Sequence, residues 1–255
     1  MRVVLGYNSS HAYSIFLYVG LTGIIGTNDQ EENLFNVMPI NIAQPQHRPE
    51  IALEILLLSL EHAVSYGADV VNLSLGIADD PDLKNYIQDM TENADVLITV
   101  VAAAGNSSEA LIQYPARYSN VIAVGMVDQW DQHVGSYMGG PEKPNGVDIN
   151  GPGGVISTTF YYEENTFFDW YNDGFLEDPN GIIQATRFSK TSSAAPHVTG
   201  AVAVMLSVNP GLTPANIMQI IHETATRWEG MGPEFGSFGI IDMEACIQQA
   251  KNWSE

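Results

Sequence analysis

Ser192 is the residue from which a reaction can be built. It stands in Phe188-Ser189-Lys190-Thr191-Ser192-Ser193-Ala194-Ala195-Pro196-His197-Val198-Thr199-Gly200, a polar turn that runs on into Ala201-Val202-Ala203-Val204-Met205-Leu206. The pattern predicts a turn feeding a buried helix, interrupted only by Pro196. The first N–H groups of a helix lack intrahelical acceptors and carry the positive end of its dipole. A serine at that mouth has two readings. It is a nucleophile whose developing oxyanion meets ready-made donors, or it is a hydroxyl N-cap on a core helix. These thirteen residues leave both open.

Other chemistry-bearing residues are sparse. The single cysteine, Cys246, excludes an internal disulfide and a cysteine-rich zinc site. His62 and His222 fall on predicted helices beside charged residues and read as solvated, while His47 and His133 fall in loops. No two histidines have metal-ligand spacing, so no metal site is expected. There is no glycine–lysine phosphate loop, and Gly151-Pro152-Gly153-Gly154 is not a dinucleotide fingerprint. Ser74 lacks the preceding glycine of a nucleophile elbow.

Composition bounds the partners. The chain has 255 residues, 45% of them apolar, with nine basic against thirty acidic side chains and a net charge of −21. That length buries a substantial core as one domain. Nucleic acid and anionic membranes are poor partners for such a field. A basic peptide or bound cations suit it better, and acidity also serves solubility alone. The apolar run of residues 14–25 is too short to span a membrane. Polar residues 8–11 separate it from Arg2. It therefore reads as a buried helix rather than a leader, which favours a cytoplasmic location.

These candidates need elements to position them. Residues 2–5 read as a strand, residues 12–25 as a helix and residues 34–42 as a second strand. A helix opens near Pro49 and runs to about Tyr66, with Leu53, Leu56, Leu60 and Ala63 at helical spacing and Ile51, Ile55 and Leu58 widening the stripe. Gly67 ends it. Residues 69–74 form a buried strand, Asp80-Pro81 opens a helix to about Asn93, and residues 96–104 and 121–127 form two further strands. Apolar strands alternating with helices predict an α/β fold with a doubly wound, mostly parallel sheet flanked by helices. Ligands of such sheets bind beyond the carboxyl ends of the strands. Ser74-Leu75-Gly76 and Ala103-Ala104-Gly105-Asn106 fall at that edge.

Five blocks in order carry a resemblance. Val71-Asn72-Leu73-Ser74-Leu75-Gly76, Val101-Ala102-Ala103-Ala104-Gly105-Asn106, Tyr114-Pro115-Ala116 with Val121-Ile122-Ala123-Val124-Gly125, Gly151-Pro152-Gly153, and Thr191-Ser192-Ser193-Ala194-Ala195-Pro196-His197-Val198-Thr199-Gly200 resemble the signature segments of the subtilisin-like serine peptidases. The closing Phe238-Gly239-Ile240-Ile241-Asp242-Met243 resembles that family's last strand and helix. The resemblance implies one subtilisin-like domain over residues 1–255, hydrolysing peptide bonds of a polypeptide substrate. It implies Ser192 as nucleophile and Asn106 as a side-chain oxyanion donor, a buried neutral amide beside the Ser192 N–H. It implies Ser74, Leu75 and Gly76 as a segment pairing with substrate backbone. Ala103, Gly105 and that segment would wall the primary pocket, with Gln113 near its floor. His197 matches a structural position. No cofactor is required by this chemistry, and calcium is an accessory ion of the family.

Three departures follow. The family's histidine opens the helix after its second strand. His11 is the candidate in that place, although Ala12 and Tyr13 follow it instead of glycine and threonine. The triad aspartate has no counterpart, since no acidic residue precedes Asp29. Either the first strand lies outside the chain, in which case an N-terminal fragment or a partner chain would supply it with the aspartate, or residues 2–10 are that strand, with Gly6 or Tyr7 in place of the acid and His11 an ordinary loop residue, so that both aspartate and histidine are lost. Lys190 stands where the family has glycine and must take up glycine's backbone angles or alter the turn; a Ser192–Lys190 dyad is a minor alternative. Residues 158–188 form an insertion rich in Tyr, Phe and Trp interleaved with acids, read as a lid, a docking surface or a hairpin packed on the body. Within it Asp169, Asp173 and Gly174 fit half a calcium-loop spacing, which Tyr171 and Asn180 break. Two functions result: an active endopeptidase, or a pseudopeptidase that keeps the cleft as a peptide-binding or assembly module.

Overall fold

A computed structural model describes residues 2–7, 36–42, 53–106, 111–128, 130, 140–159, 184–188, 190–227 and 239–254. Six strands form one parallel sheet: β1 (Arg2–Tyr7), β2 (Asn36–Asn41), β3 (Val70–Leu73), β4 (Thr99–Ala103), β5 (Ile122–Val127) and β6 (Ile149–Pro152), in the order β2-β1-β3-β4-β5-β6. Described helices are α1 (Leu53–Ser65), α2 (Pro81–Glu92), α3 (Thr191–Val208), α4 (Pro214–Thr224) and α5 (Met243–Asn252). The doubly wound parallel sheet expected from the alternation of apolar runs is the fold observed.

The strands of this sheet sort their side chains by period two onto two cores. Val71, Leu73, Val100 and Ala102 pack with Leu56, Leu60 and Ala63 of α1 and Leu83, Ile87 and Met90 of α2. Val70, Val101, Ala103 and Val124 pack on the other face with Ala194, Val198, Ala201, Val202 and Met205 of α3. Strands β3, β4 and β5 are buried throughout, which is why they read as continuous apolar runs rather than alternating ones. Helix α1 buries Leu56, Leu60 and Ala63 and packs Leu53, Ile55, Leu57 and Val64 partly against the core. Of the residues expected to widen the stripe, Ile55 does so, Leu58 is 63% exposed instead, and Ile51 lies outside the described residues. Gly67 closes α1 with φ 65, as its position past the helix predicts. Strand β4 starts at Thr99, later than expected. Leu97 turns with φ 47 and the Ile98 N–H bonds back to the Met90 carbonyl, so residues 96–98 belong to the turn after α2.

The sheet order places a topological switch between β1 and β3. The chain passes from β1 to β2 on one side and then returns to β3 on the other. A crevice opens at the carboxyl ends of strands at such a point. Strand β1 is hydrogen-bonded on both sides, with Gly6 opposite Ile40 of β2 and opposite Leu73 of β3. Of the two alternatives for the first strand, the one observed is the strand within this chain: Arg2–Tyr7 hold the interior position that a fragment or partner chain would otherwise have supplied. Two more strands, β7 (Val155–Thr159) and β8 (Gln184–Phe188), pair antiparallel and bracket the insertion. The predicted helix over residues 12–25 lies outside the described residues, as do residues 160–183 of the insertion.

Candidate active site

Helix α3 carries Ser192 at its second position, and its start is unusual. The N-cap is Lys190, with φ 80, ψ 176 and no side-chain capping bond. The hydroxyl-cap reading of Ser192 is thereby overturned: the serine lies inside the first turn. The cap angles fall in a region that only glycine adopts freely, at a cost of about 1–3 kcal/mol for other residues. Lys190 does take glycine's conformation. Three donors hold its carbonyl there: the N–H groups of Ser193 (3.1 Å) and Ala194 (3.3 Å) and the Ser193 hydroxyl (2.8 Å).

Asn106, just past β4, reaches this turn. Its Oδ1 accepts from the Thr191 N–H at 3.0 Å and lies 2.9 Å from the Thr191 hydroxyl, which also lies 3.1 Å from the Gly105 carbonyl. The N–H can only donate, so the amide oxygen is fixed toward Thr191 and the NH₂ group faces away from it. Asn106 is exposed and Ser192 half-buried. The expected buried amide is corrected in one respect. Asn106 is anchored at its oxygen but open to solvent, because Gly105 is the last buried residue of its run.

Ser74 also reaches α3, but through its side chain. Its hydroxyl donates to the Ser192 carbonyl at 3.0 Å and accepts from Asn72 Nδ2 at 2.9 Å. Asn72 Oδ1 accepts from Thr199 two turns along α3, at 2.9 Å. Asn72 and Thr199 are fully buried, so this chain of neutral bonds holds the β3 terminus against the Ser192 turn in a water-poor setting. Leu75 is buried and Gly76 exposed. Gln113 lies against both Gly76 and Gly105. Ala103 is buried within β4, and its side faces α3.

His197, one turn further along α3, has Nδ1 2.9 Å from the Ser193 carbonyl. Burial holds its pKa below the usual histidine value, against that hydrogen bond, which raises it. His222 is not the solvated residue expected: its side chain is 19% exposed, with Nε2 3.6 Å from Asp148 Oδ1. His11 lies outside the described residues. The carboxyl end of β1, which opens at the same edge as Ser74, reads Gly6-Tyr7 and offers no carboxylate. Thr191, Asn72 and Thr199 were not singled out from the sequence. A polar residue inside Val70-Val71-Asn72-Leu73 was the available signal for Asn72; the other two lie within the 191–200 block, but only the fold gives their hydrogen-bond partners.

What the geometry provides is a serine in a helix's first turn, an anchored amide beside it and an extended segment along the crevice. That is the equipment of acyl transfer. Residues 19–240 match the Subtilase family. Fervidolysin of Fervidobacterium pennivorans is 30% identical over 194 residues, covering 73% of this chain and 26% of that protein. Subtilisin DY of Bacillus licheniformis is 33% identical over 199 residues, covering 76% of this chain and 62% of that protein. The chain thus spans between a quarter and under two thirds of these relatives. In three dimensions, the crystal structure of fervidolysin covers 97% of the chain with a TM-score of 0.76 at 22% identity. The self-cleaved protease domain of PatA covers 99% with a TM-score of 0.70 at 21% identity, and these likenesses speak for the fold. By its ordered motifs, its sheet and these matches, the chain belongs to the subtilase family.

Proposed function

We propose that this chain is a serine endopeptidase. Ser192 Oγ attacks the carbonyl carbon of a peptide bond while His11 takes the hydroxyl proton. The oxyanion forms against Asn106 Nδ2 and the Ser192 N–H. His11 then delivers its proton to the departing amine, leaving an acyl-enzyme that water hydrolyses. Substrate backbone runs as an added strand beside Ser74, Leu75 and Gly76. The observation that carries this reading is the clamp on Asn106. Its oxygen is held by Thr191, the residue before Ser192, so the orientation of its NH₂ group is fixed before the reaction begins. No cofactor takes part. Calcium, which the family implies as an accessory ion, finds no group of three or more His, Cys, Asp or Glu among the described residues, and no step runs through it.

The test is covalent labelling by a fluorophosphonate. Modification should map to Ser192, vanish in Ser192→Ala and slow in His11→Ala. A folded chain that takes no label overturns the reading.

A second reading is favoured by one observation. With β1 inside the sheet and Gly6 and Tyr7 at its end, support goes to the alternative that lacks both the family's aspartate and its histidine. In a subtilisin, removing the aspartate alone costs about 10⁴ in rate and removing the histidine about 10⁶, magnitudes taken from that relative. On this reading the cleft is a peptide-binding or assembly module without turnover, and Ser192→Ala leaves peptide binding intact.

A further inference from the structure

The gap between the carboxyl ends of β3 and β4 is occupied by one side chain, Gln113. A Cβ placed on Gly76 would stand 2.2 Å from Gln113 Oε1, and one on Gly105 would stand 2.9 Å from Gln113 Cγ and Cδ. Both walls are glycine at the points where this side chain lies against them. Since one side chain touches both, the gap is one side chain wide. Gly105 also has φ +107, so no other residue fits that wall without strain.

The floor cannot retreat. The Gln113 N–H donates to the Ala104 carbonyl at 2.9 Å, its carbonyl accepts from the Arg117 N–H at 3.0 Å, and the Ile77 N–H donates to the Tyr114 carbonyl at 2.8 Å. The segment is thus stapled to both walls. Only the side-chain torsions of Gln113, an exposed residue, are free to change.

Resting on the peptidase reading above, we propose that Gln113, at the floor position that the resemblance already implies, fills the primary pocket of this chain. It closes the gap to large side chains, so the favoured substrates are peptides with Gly, Ala or Ser at the position that donates the acyl group. Asn106 directly follows the Gly105 wall, and Ser74 of the opposite wall is bonded to the Ser192 carbonyl. A carbonyl held between Asn106 and Ser192 therefore has its own side chain at the mouth of this gap. Gly, Ala and Ser fit above the Gln113 amide. Leu and Phe need it to leave both glycines first. Each methylene misfitted in a pocket is worth about 10–200-fold in kcat/KM.

The experiment uses fluorogenic peptides identical except for Gly, Ala, Ser, Leu or Phe at that position, on the full chain and on Gln113→Ala. The chain should prefer Ala to Phe by about tenfold or more, and Gln113→Ala should raise the Phe-to-Ala ratio of kcat/KM by about tenfold. Thermal melts confirm that the variant folds. Preference for Leu or Phe in the unaltered chain, or a ratio that Gln113→Ala leaves unmoved, overturns the proposal while Ser192 labelling still upholds the peptidase reading. If no peptide is cleaved and Ser192 takes no label, the peptidase reading fails. Fluorescence anisotropy of the same peptides on Ser192→Ala, with and without Gln113→Ala, then decides for Gln113. Tighter binding of Ala than Phe, reversed by Gln113→Ala, supports it, and size-independent or absent binding overturns it.

Discussion

The two edges of the parallel sheet solve the same problem with opposite chemistry. At the carboxyl edge, Asn72, Ser74, Asn106, Thr191 and Thr199 form neutral hydrogen bonds that end on an exposed amide. At the amino edge, where β5 and β6 begin, the polar groups are charged and closed on themselves. Lys143 Nζ donates to Asp148 Oδ2 and to the Val121 carbonyl at 2.6 Å, and the same Asp148 oxygen accepts the Ala123 N–H at 2.7 Å. Both side chains are buried, and His222 of α4 stands over the other carboxylate oxygen. A charge pair of this kind is a fixed internal clamp that gains nothing from facing solvent. A neutral network holds its shape while keeping one donor outward, which is what a developing oxyanion needs. The difference teaches that polarity serves packing at one end of these strands and presentation at the other.

The largest expected effect lies at the amino edge. Lys143→Met leaves Asp148 buried without its cation and should lower unfolding free energy by about 3–5 kcal/mol in urea titrations, with partial recovery in Lys143→Met/Asp148→Asn. A loss below about 1 kcal/mol would remove the contrast between the edges. At the carboxyl edge the pattern inverts. Asn106→Ala should slow acylation of Ser192 by about 10²–10³, the magnitude known for the corresponding donor in a subtilisin, with little loss of stability. Equal damage to folding would make Asn106 a packing residue. Lys190→Gly should raise stability by about 1 kcal/mol, because relief of the cap angles outweighs the added chain entropy of glycine. A destabilised Lys190→Gly in the same titration would show that the lysine is held by more than its carbonyl. The smallest effect is a pH dependence. The His197 pKa is depressed by burial, so the unfolded chain binds a proton that the folded chain refuses as pH falls below 6.5. Stability from this group is complete above that value and is lost as pH drops through the folded pKa. Thermal melts of His197→Asn should show a flatter acid limb.

The amino acid order made the sheet legible because β3, β4 and β5 are buried throughout and capped helices lie along the chain. Asp80 and Asp242 accept helix N–H bonds, and Thr213 with Asn216 forms a capping box. Pro81 and Pro214 occupy favourable first-turn positions. Those signals are local. The site was legible where a motif is contiguous, at residues 103–106 and 191–200. Thr191 escaped because its task depends on where β4 ends relative to α3, across 85 positions of chain. Charge beside His222 suggested solvent, whereas its neighbour in space is Asp148, carried on a different element. The absence of an acid before Asp29 left two places for the first strand, and only the sheet order, with Arg2–Tyr7 between β2 and β3, chooses between them. A six-residue run between residues 36–41 and 70–73 is a fact of topology, which no local pattern encodes.

That position of β1 bears on how the chain folds. Arg2 must find Asn36, and Val3 must find Val70, before either flank of the strand makes a ladder bond. All five pairings of the six-stranded sheet are parallel, so each requires a long loop to close first. Loop closure ahead of contact is an entropic barrier, and folding slows as the mean sequence separation of contacts grows. The residues of β1 are made before both of their neighbouring strands and are thus among the last to find a complete set of partners. Until they do, β2 and β3 each expose a strand edge to any other chain nearby.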